Sequence, residues 1–292
     1  LCTSNLPEPA VIPSEHFNTL LYSGNGGTPR VLTGVGFQPD WVWTKSRSYA
    51  SSHYSFDSVR GVQKYLSSDT TAAESTHTAM LSSFDSDGFT LGNSTGVNRA
   101  ANTFVAWNWK ANGSGSANTV GNIDSTVSVN TDAGFSIVEY TRASGDGVAS
   151  IGHGLSKAPD LVIAKRTNDA MSWYVYHSSL ASNTEIYLNL DNASASGATM
   201  AAPSSTVINY NNLDPMTKIA YCFHSVEGYS KVGSYSGNDT SDGAFVYTGF
   251  RPAWVMIKAH TTSEPWSIRD SARSTYNPTN KVLRPDQNSS EL

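Results

Sequence analysis

Large apolar residues occur along this chain in short bursts of five to eight positions, interleaved with small or polar residues and separated by runs of Gly, Asn, Asp and Ser. WVWTK at 41–45 and FVAWNWK at 104–110 are examples. A period of two is the signature of a strand, because successive side chains leave the backbone on opposite faces. Trp41 and Trp43 are therefore predicted to share one face and Val42 to take the other. Helical periodicity is weak throughout. The stretch VRGVQKYL at 59–66 fits a helical turn or two and an edge strand equally well. GNGG (24–27), DSDG (85–88) and SGND (236–239) read as hairpin-type turns in which Gly or Asn adopts positive φ at little cost.

Three of the predicted strands are variants of one text: GFQPDWVWTK (36–45), GLSKAPDLVIAK (154–165) and GFRPAWVMIK (249–258). The surrounding spacings agree. A Tyr precedes the opening hydrophobic residue by 15 positions each time: Tyr22 before Phe37, Tyr140 before Leu155, Tyr235 before Phe250. Pro39, Pro159 and Pro252 stand at the strand entrance, where a missing N–H does no harm. Each strand ends in Lys45, Lys165 or Lys258. Eight residues later comes a ring (His53, Trp173, Trp266), and four residues after that Asp57, His177 or Asp270. The first and third versions share Asp-Ser-x-Arg, as Asp57 with Arg60 and Asp270 with Arg273. Independent spacings repeated in register point to duplication.

The expected organisation is a hinge at 1–16, a first β segment at 17–112, a linker at 113–133, a second segment at 134–228 and a third at 229–292. The linker rests on the Gly-, Ser- and Asn-rich composition of that stretch. Each segment is expected to hold roughly seven short strands, the size of a small sandwich or barrel. The boundary near 228 is less clean, and the two later segments are expected to share a sheet. The third segment reaches Leu292 only 22 residues after Asp270, where the first still has two strands to come. It is expected to be incomplete, with its remainder in a continuation of the chain or in another chain.

Composition narrows the functional classes. The 292 residues are 38 % hydrophobic, 11 % aromatic and 15 % charged, enough apolar material for a substantial core. A formal charge of −5 without any Lys/Arg run argues against nucleic acid and anionic membranes as partners. No apolar run nears the ~20 residues of a membrane span. The chain opens on Leu1 without the pattern of a signal peptide, so Leu1 is expected to be internal to a longer product. Cys2 and Cys222 have no ligand or redox spacing, and no metal or cofactor is expected.

Candidate chemistry is sparse. No GxSxG, HExxH or Walker A stretch is present, and GNGG lacks the strand–helix context of a dinucleotide site. Asp40 and Asp160 are matched positions, yet the third version has Ala253, so the framework does not require a carboxylate pair there. His53, Asp57 and Arg60 resemble a charge relay or binding cluster. Trp266, Asp270 and Arg273 keep the acid and the base without the His, so an Asp–Arg pair that fixes a loop beside a packed ring accounts for both. Trp43, Trp107 and Trp109 are candidates for stacking on sugar, although one ring per strand face is also what a core requires. Asp85 and Asp87 in DSDG read as a plain turn, since an EF-type loop would continue to a Glu.

Together, YSGNGG, GFQPDWVWTK, DSVRG, SFDSDGFTLG and FVAWNWK in the first segment, with IGHGLSKAPDLVIAK, YCFHSVEGYSKVGSYSGN and DGAFVYTGFRPAWVMIK later, resemble a repeat region found in tail-fibre-like and other virion proteins of tailed phages, many of them marine. The resemblance covers about residues 17–292. It implies a non-enzymatic structural protein of the phage particle, in a tail fibre or appendage or on the capsid surface, in contact with other virion proteins. A symmetric homo-oligomer is expected, a trimer among the forms that fit. The expected fold is all-β, built of tandem, internally repeated β-sandwich-like units of jelly-roll or lectin-like type with long loops. Two other readings accompany it: a lectin-like module that holds host surface glycan, and a polysaccharide depolymerase.

Overall fold

The computed structural model describes residues 11–144, 148–211, 214–240 and 242–292. Residues 1–10, most of the expected hinge, lie outside that range. The described chain is nearly all β, in several antiparallel sheets joined by turns and short loops.

The alternating stretches form strands as their pattern requires. In the first segment these are β1 (Phe17–Ser23), β2 (Arg30–Thr33), β3 (Trp41–Ser46), β4 (Tyr54–Asp57), β5 (Lys64–Ser67), β6 (Ser75–Thr76), β7 (Leu81–Asp85), β8 (Gly88–Leu91) and β9 (Thr103–Trp109), with the single-turn helix α1 (Thr95–Asn98) before the last. That makes nine strands against the seven expected. The ambiguous stretch 59–66 resolves into a turn followed by β5, with Gln63 at positive φ between them.

The next eleven strands are β10 (Ser116–Asn118), β11 (Ser125–Asn130), β12 (Phe135–Arg142), β13 (Ala149–Gly152), β14 (Leu161–Arg166), β15 (Tyr174–His177), β16 (Thr184–Tyr187), β17 (Ala195–Ser196), β18 (Met200–Ala201), β19 (Val207–Tyr210) and β20 (Met216–Phe223). The stretch 113–133, expected to be a linker, thus supplies β10 and β11. The latter pairs with β12 along its whole length, Val127 opposite Val138. Small and polar residues dominate the composition of this stretch, but Val127 on β11 and Ile123 in the connection before it are buried apolar side chains.

The first large sheet runs β1-β9-β3-β4-β5-β6, and the inner part of the second runs β12-β20-β14-β15-β16-β17. Counted from each segment's first strand, the order is the same. Two small sheets, β2-β8-β7 and β13-β19-β18, repeat the correspondence. Registers agree as well: Trp41 faces Trp109 and Trp43 faces Trp107, while Leu161 faces Phe223 and Ile163 faces Tyr221.

Alternation decides the layers. Val42, Phe56, Phe104 and Ala106 leave one face of the first sheet to pack on Leu32, Leu81, Phe89 and Leu91 of its small sheet. Val138, Val162, Ala164 and Ala220 do the same in the second, against Ile151, Met200, Ile208 and Tyr210. The opposite faces meet in one shared core, where Trp41, Trp43, Trp107 and Trp109 pack with Phe135, Ile163, Val175 and Tyr221. Trp41 stacks on Trp109 at 4.3 Å and on Tyr221 at 4.2 Å between ring centres.

A third wall closes this core. It is the hairpin of β21 (Trp254–Ile257) and β22 (Ser267–Asp270), followed by Leu283, which bridges Ile268. Trp266, Ile268 and Leu283 are buried in the shared core. The two later segments were expected to share a sheet; instead β21 and β22 form a sheet of their own.

Candidate functional site

Several of the residues that the sequence singled out, among them Asp57, Arg60, Trp173, Trp266, Asp270 and Arg273, gather around the shared core, where they tie one segment to another. On β4 and the turn after it, Asp57 and Arg60 have fully buried side chains. The Arg60 Nε donates to Asp57 Oδ2 at 2.5 Å and its backbone N–H to Asp57 Oδ1 at 2.9 Å. Its Nη2 donates to the Ser55 carbonyl at 3.1 Å and its Nη1 to Glu74 at 3.3 Å. Tyr221, on β20 of the second segment, donates its hydroxyl to Asp57 at 2.7 Å. Burial works against the Arg60 charge, but Asp57, Tyr221 and Glu74 together hold its pKa above the ordinary value. Burial, then Asp57, raises that of Tyr221.

The third segment repeats the arrangement. Arg273 Nε donates to Asp270 Oδ2 at 2.5 Å, its N–H to Oδ1 at 2.8 Å, its Nη2 to the Ile268 carbonyl at 3.0 Å and its Nη1 to Glu291 at 3.3 Å. The outside donor is now Trp107, on β9 of the first segment, whose indole N–H reaches Asp270 at 3.0 Å. Trp107 and Tyr221 hold the same register position on their strands, opposite Trp43 and Ile163. His177 stands in the second segment where the other two have Asp. Its Nδ1 accepts the N–H of Ser179 at 3.1 Å, and burial lowers its pKa.

The matched rings make a second set of ties. Trp173 donates its indole N–H to the Ser67 carbonyl at 2.9 Å and Trp266 donates to the Tyr187 carbonyl at 2.8 Å. Ser67 and Tyr187 follow Leu66 and Ile186, which pair with Ser55 and Val175; the third such position is Arg284, after Leu283. His53 packs on Trp43 and Trp107, with its ring near the Arg284 backbone. Burial, then the charge of Lys45, holds its pKa well below the usual value, against the opposing influence of the Arg284 backbone.

A third set runs between backbones. The N–H of Glu74 donates to the Thr167 carbonyl at 2.9 Å, that of Ser194 to His260 at 2.8 Å, and that of Glu291 to Arg47 at 2.9 Å. Each acceptor stands two residues after one of the three lysines. The bonds run from first segment to second, second to third and third to first. The lysines behave alike too: Lys45, Lys165 and Lys258 each donate to the carbonyl of the next residue, at 2.9, 2.6 and 2.6 Å. Burial pulls the ammonium groups of Lys45 and Lys165 down to about 8.

The remaining positions separate. Pro39, Pro159 and Pro252 precede their strands, as placed from sequence. The backbone N–H of Asp40 donates to Trp109 and that of Asp160 to Phe223, while their carboxylates accept the N–H of Ala111 and Ser225. These acids fasten the exit of β9 and β20. Tyr22 and Tyr140 are buried, whereas Tyr235 is 52 % exposed. Trp43, Trp107 and Trp109 are core residues with 1 %, 0 % and 6 % exposure. In DSDG, Asp87 accepts the N–H of Gly34 and Gly36, and Asp85 accepts the hydroxyl of Thr90. Tyr221, Glu74 and Glu291 escaped the sequence reading. Their one signal was register: Tyr221 lies in IAYCFH where Trp107 lies in FVAWNWK.

Among the described residues no group of His, Cys, Asp and Glu is placed to hold a metal ion, and no helix is long and apolar enough to cross a membrane. The fold and these ties define a multi-sheet, all-β protein whose parts share an aromatic core and are joined by buried polar contacts. Over residues 12–292 the sequence matches the family described as a domain of unknown function (DUF7483), and the chain belongs to it. No curated protein and no solved structure matches it.

Proposed function

We propose that the chain is a non-enzymatic structural body, made of tandem β units closed around a pseudo-three-fold axis, and that it serves on the surface or an appendage of a phage particle. The observation that carries the structural role is the internal engagement of its most chemically suggestive residues. Asp57 with Arg60 and Asp270 with Arg273 are buried pairs whose other partners, among them Tyr221, Trp107, two glutamates and the carbonyls of Ser55 and Ile268, belong to the same chain. A catalytic acid or a sugar platform needs its polar atoms or ring faces open to a ligand. Here they are covered.

The three backbone bonds of 2.9, 2.8 and 2.9 Å support the pseudo-symmetric reading, since each joins matched positions and the set forms a closed cycle. Such a closure gives rigidity from one short text used three times. The place on a virion rests on the resemblance of the motifs alone.

The test is cryo-electron microscopy with mass spectrometry of the intact source particle. The expected outcome is density for this body at the capsid surface or on the tail. Purified particles that lack the polypeptide would overturn the virion role. Purified protein that shortens host polysaccharide would overturn the non-enzymatic one.

A further inference from the structure

On β20, Ala220 and Cys222 face the small sheet β13-β19-β18, while Ile219 and Tyr221 enter the shared core. Alternation puts Lys218 on the small-sheet side. It is fully buried there, and its Nζ has no hydrogen-bond partner among the described residues. The first segment has no such amine. Lys218 stands opposite Tyr140 and Arg166, and the residue that stands opposite Tyr22 and Ser46 at the matching place is Phe104. Phe104 stacks on Tyr22 at 5.1 Å. One position between two layers is thus a stacked ring in one segment and a bare amine in the other.

The surroundings offer the amine rings in place of counter-ions. Its Nζ lies 3.7 Å from the centre of the Tyr210 ring on β19 and 5.4 Å from that of Tyr174 on β15. Tyr210 in turn holds the place of Leu91, each lying opposite the first residue of its segment's matching strand, Ala149 or Arg30. The hydroxyls of Tyr140, Tyr174 and Tyr210 are kept protonated by burial and supply no negative charge. Two acids act on Lys218, Asp169 after β14 and Glu185 on β16, but both are engaged elsewhere. Asp169 accepts Arg166 Nη1 at 2.9 Å, and Glu185 accepts the N–H of Thr199 and the hydroxyl of Tyr187, each at 2.8 Å. β13 and β18 bring only uncharged side chains to this layer, Ala149, Ile151 and Met200. Burial, with the Arg166 charge added to it, pulls the Lys218 ammonium down to about 7 against the influence of Glu185 and Asp169.

We propose that Lys218 is a proton-operated latch: with its amine neutral the small sheet β13-β19-β18 stays closed on the second large sheet, and protonation releases that sheet so that the ammonium reaches water. This goes beyond the structural role above and uses only the correspondence between the first two segments. The four-carbon stem of a lysine can stay on apolar surface while its head moves to solvent. In the open layer the amine has its ordinary pKa of about 10.4. The open form therefore takes the proton first as pH falls. Closure weakens from about pH 10 down to the closed-state value of about 7, below which both forms carry the charge and the balance stops changing. Within that window the ratio of closed to open is expected to fall by up to about 10-fold per pH unit.

The test is amide exchange followed by mass spectrometry between about pH 6 and 9, expressed as protection relative to the intrinsic rate at each pH. It compares 207–210 on β19 with 88–91 on β8, since each is the central strand of its small sheet. Protection at 207–210 is expected to fall roughly 10-fold per unit from about pH 9 to 7 and to level off below, while protection at 88–91 stays constant. Lys218→Phe gives the second segment the residue that the first carries, and Lys218→Met is an unbranched alternative. In either variant, protection at 207–210 should lose its pH dependence. The proposal is overturned if wild-type protection at 207–210 is independent of pH or moves in step with that at 88–91, or if the slope survives in a folded variant. A fall confined to pH values below about 6.5 assigns the response to histidine and overturns it as well. If neither variant folds, the wild-type contrast between 207–210 and 88–91 and its pH window decide alone.

Discussion

Asp57 is an acid that no water reaches, held by Arg60 and by a tyrosine 164 positions away. Removing one member of a buried pair leaves the other charged and unsolvated, which is far costlier than losing a surface bridge. Asp57→Ala is therefore expected to lower stability by about 3–5 kcal/mol in urea unfolding. Tyr221→Phe keeps the ring and loses the hydrogen bond to the charged Asp57, with the longer contacts to Ser55 and Arg60, for an expected loss of about 1.5–3 kcal/mol. His53 gives a pH signature. Its folded pKa lies below the unfolded value of about 6.5, so as pH falls the unfolded chain takes the proton first. Its contribution is complete above about pH 6.5 and is lost as pH drops towards the folded pKa, by at most about 1.4 kcal/mol per unit. Urea midpoints between pH 7.5 and 5 should fall accordingly, and His53→Phe should flatten the slope. An unchanged slope would assign it to other groups.

Among the elements, the β10–β11 ribbon is where composition and structure part. Val127 on β11 and Ile123 in the connection between the two strands are buried, and each buried aliphatic side chain is worth about 1.5–3 kcal/mol. Replacing 113–133 by a Gly/Ser linker of equal length is expected to destabilise the protein by at least about 3 kcal/mol, read from the guanidinium midpoint; a true linker would tolerate the exchange. The β7–β8 hairpin depends on Gly88, at φ +153°, where an added Cβ would come within 2.0 Å of the Leu32 carbonyl oxygen on β2. Gly88→Ala should cost more than about 1 kcal/mol because backbone, not a flexible side chain, stands in the way. Much at this scale was legible. Trp41 and Trp43 were placed on one face and Val42 on the other by alternation alone, and they pack in different cores as that requires.

The whole molecule has three walls around one core, so its segments are not beads on a string. Excised residues 17–112 would expose Trp41, Trp43 and Trp107 and would lose Tyr221 from Asp57. That fragment is expected not to fold cooperatively, while the full chain shows one calorimetric transition with matching van't Hoff and calorimetric enthalpies. Three separate transitions would refute the shared core. From the residues alone came the strands, the faces they turn inward, the recurrence of Lys, ring and acid at constant spacing, and the pairing of Asp57 with Arg60 and Asp270 with Arg273. All of these are local, set by the two-residue period of a strand and by the reach of a side chain three positions along. Tertiary structure alone decided that Tyr221 answers Asp57, that Trp107 answers Asp270, that 113–133 is sheet, and that Tyr235 stays exposed while Tyr22 and Tyr140 are buried. Spacing within a segment says nothing about which segment comes to face it, because that depends on how three sheets share the volume of one aromatic core.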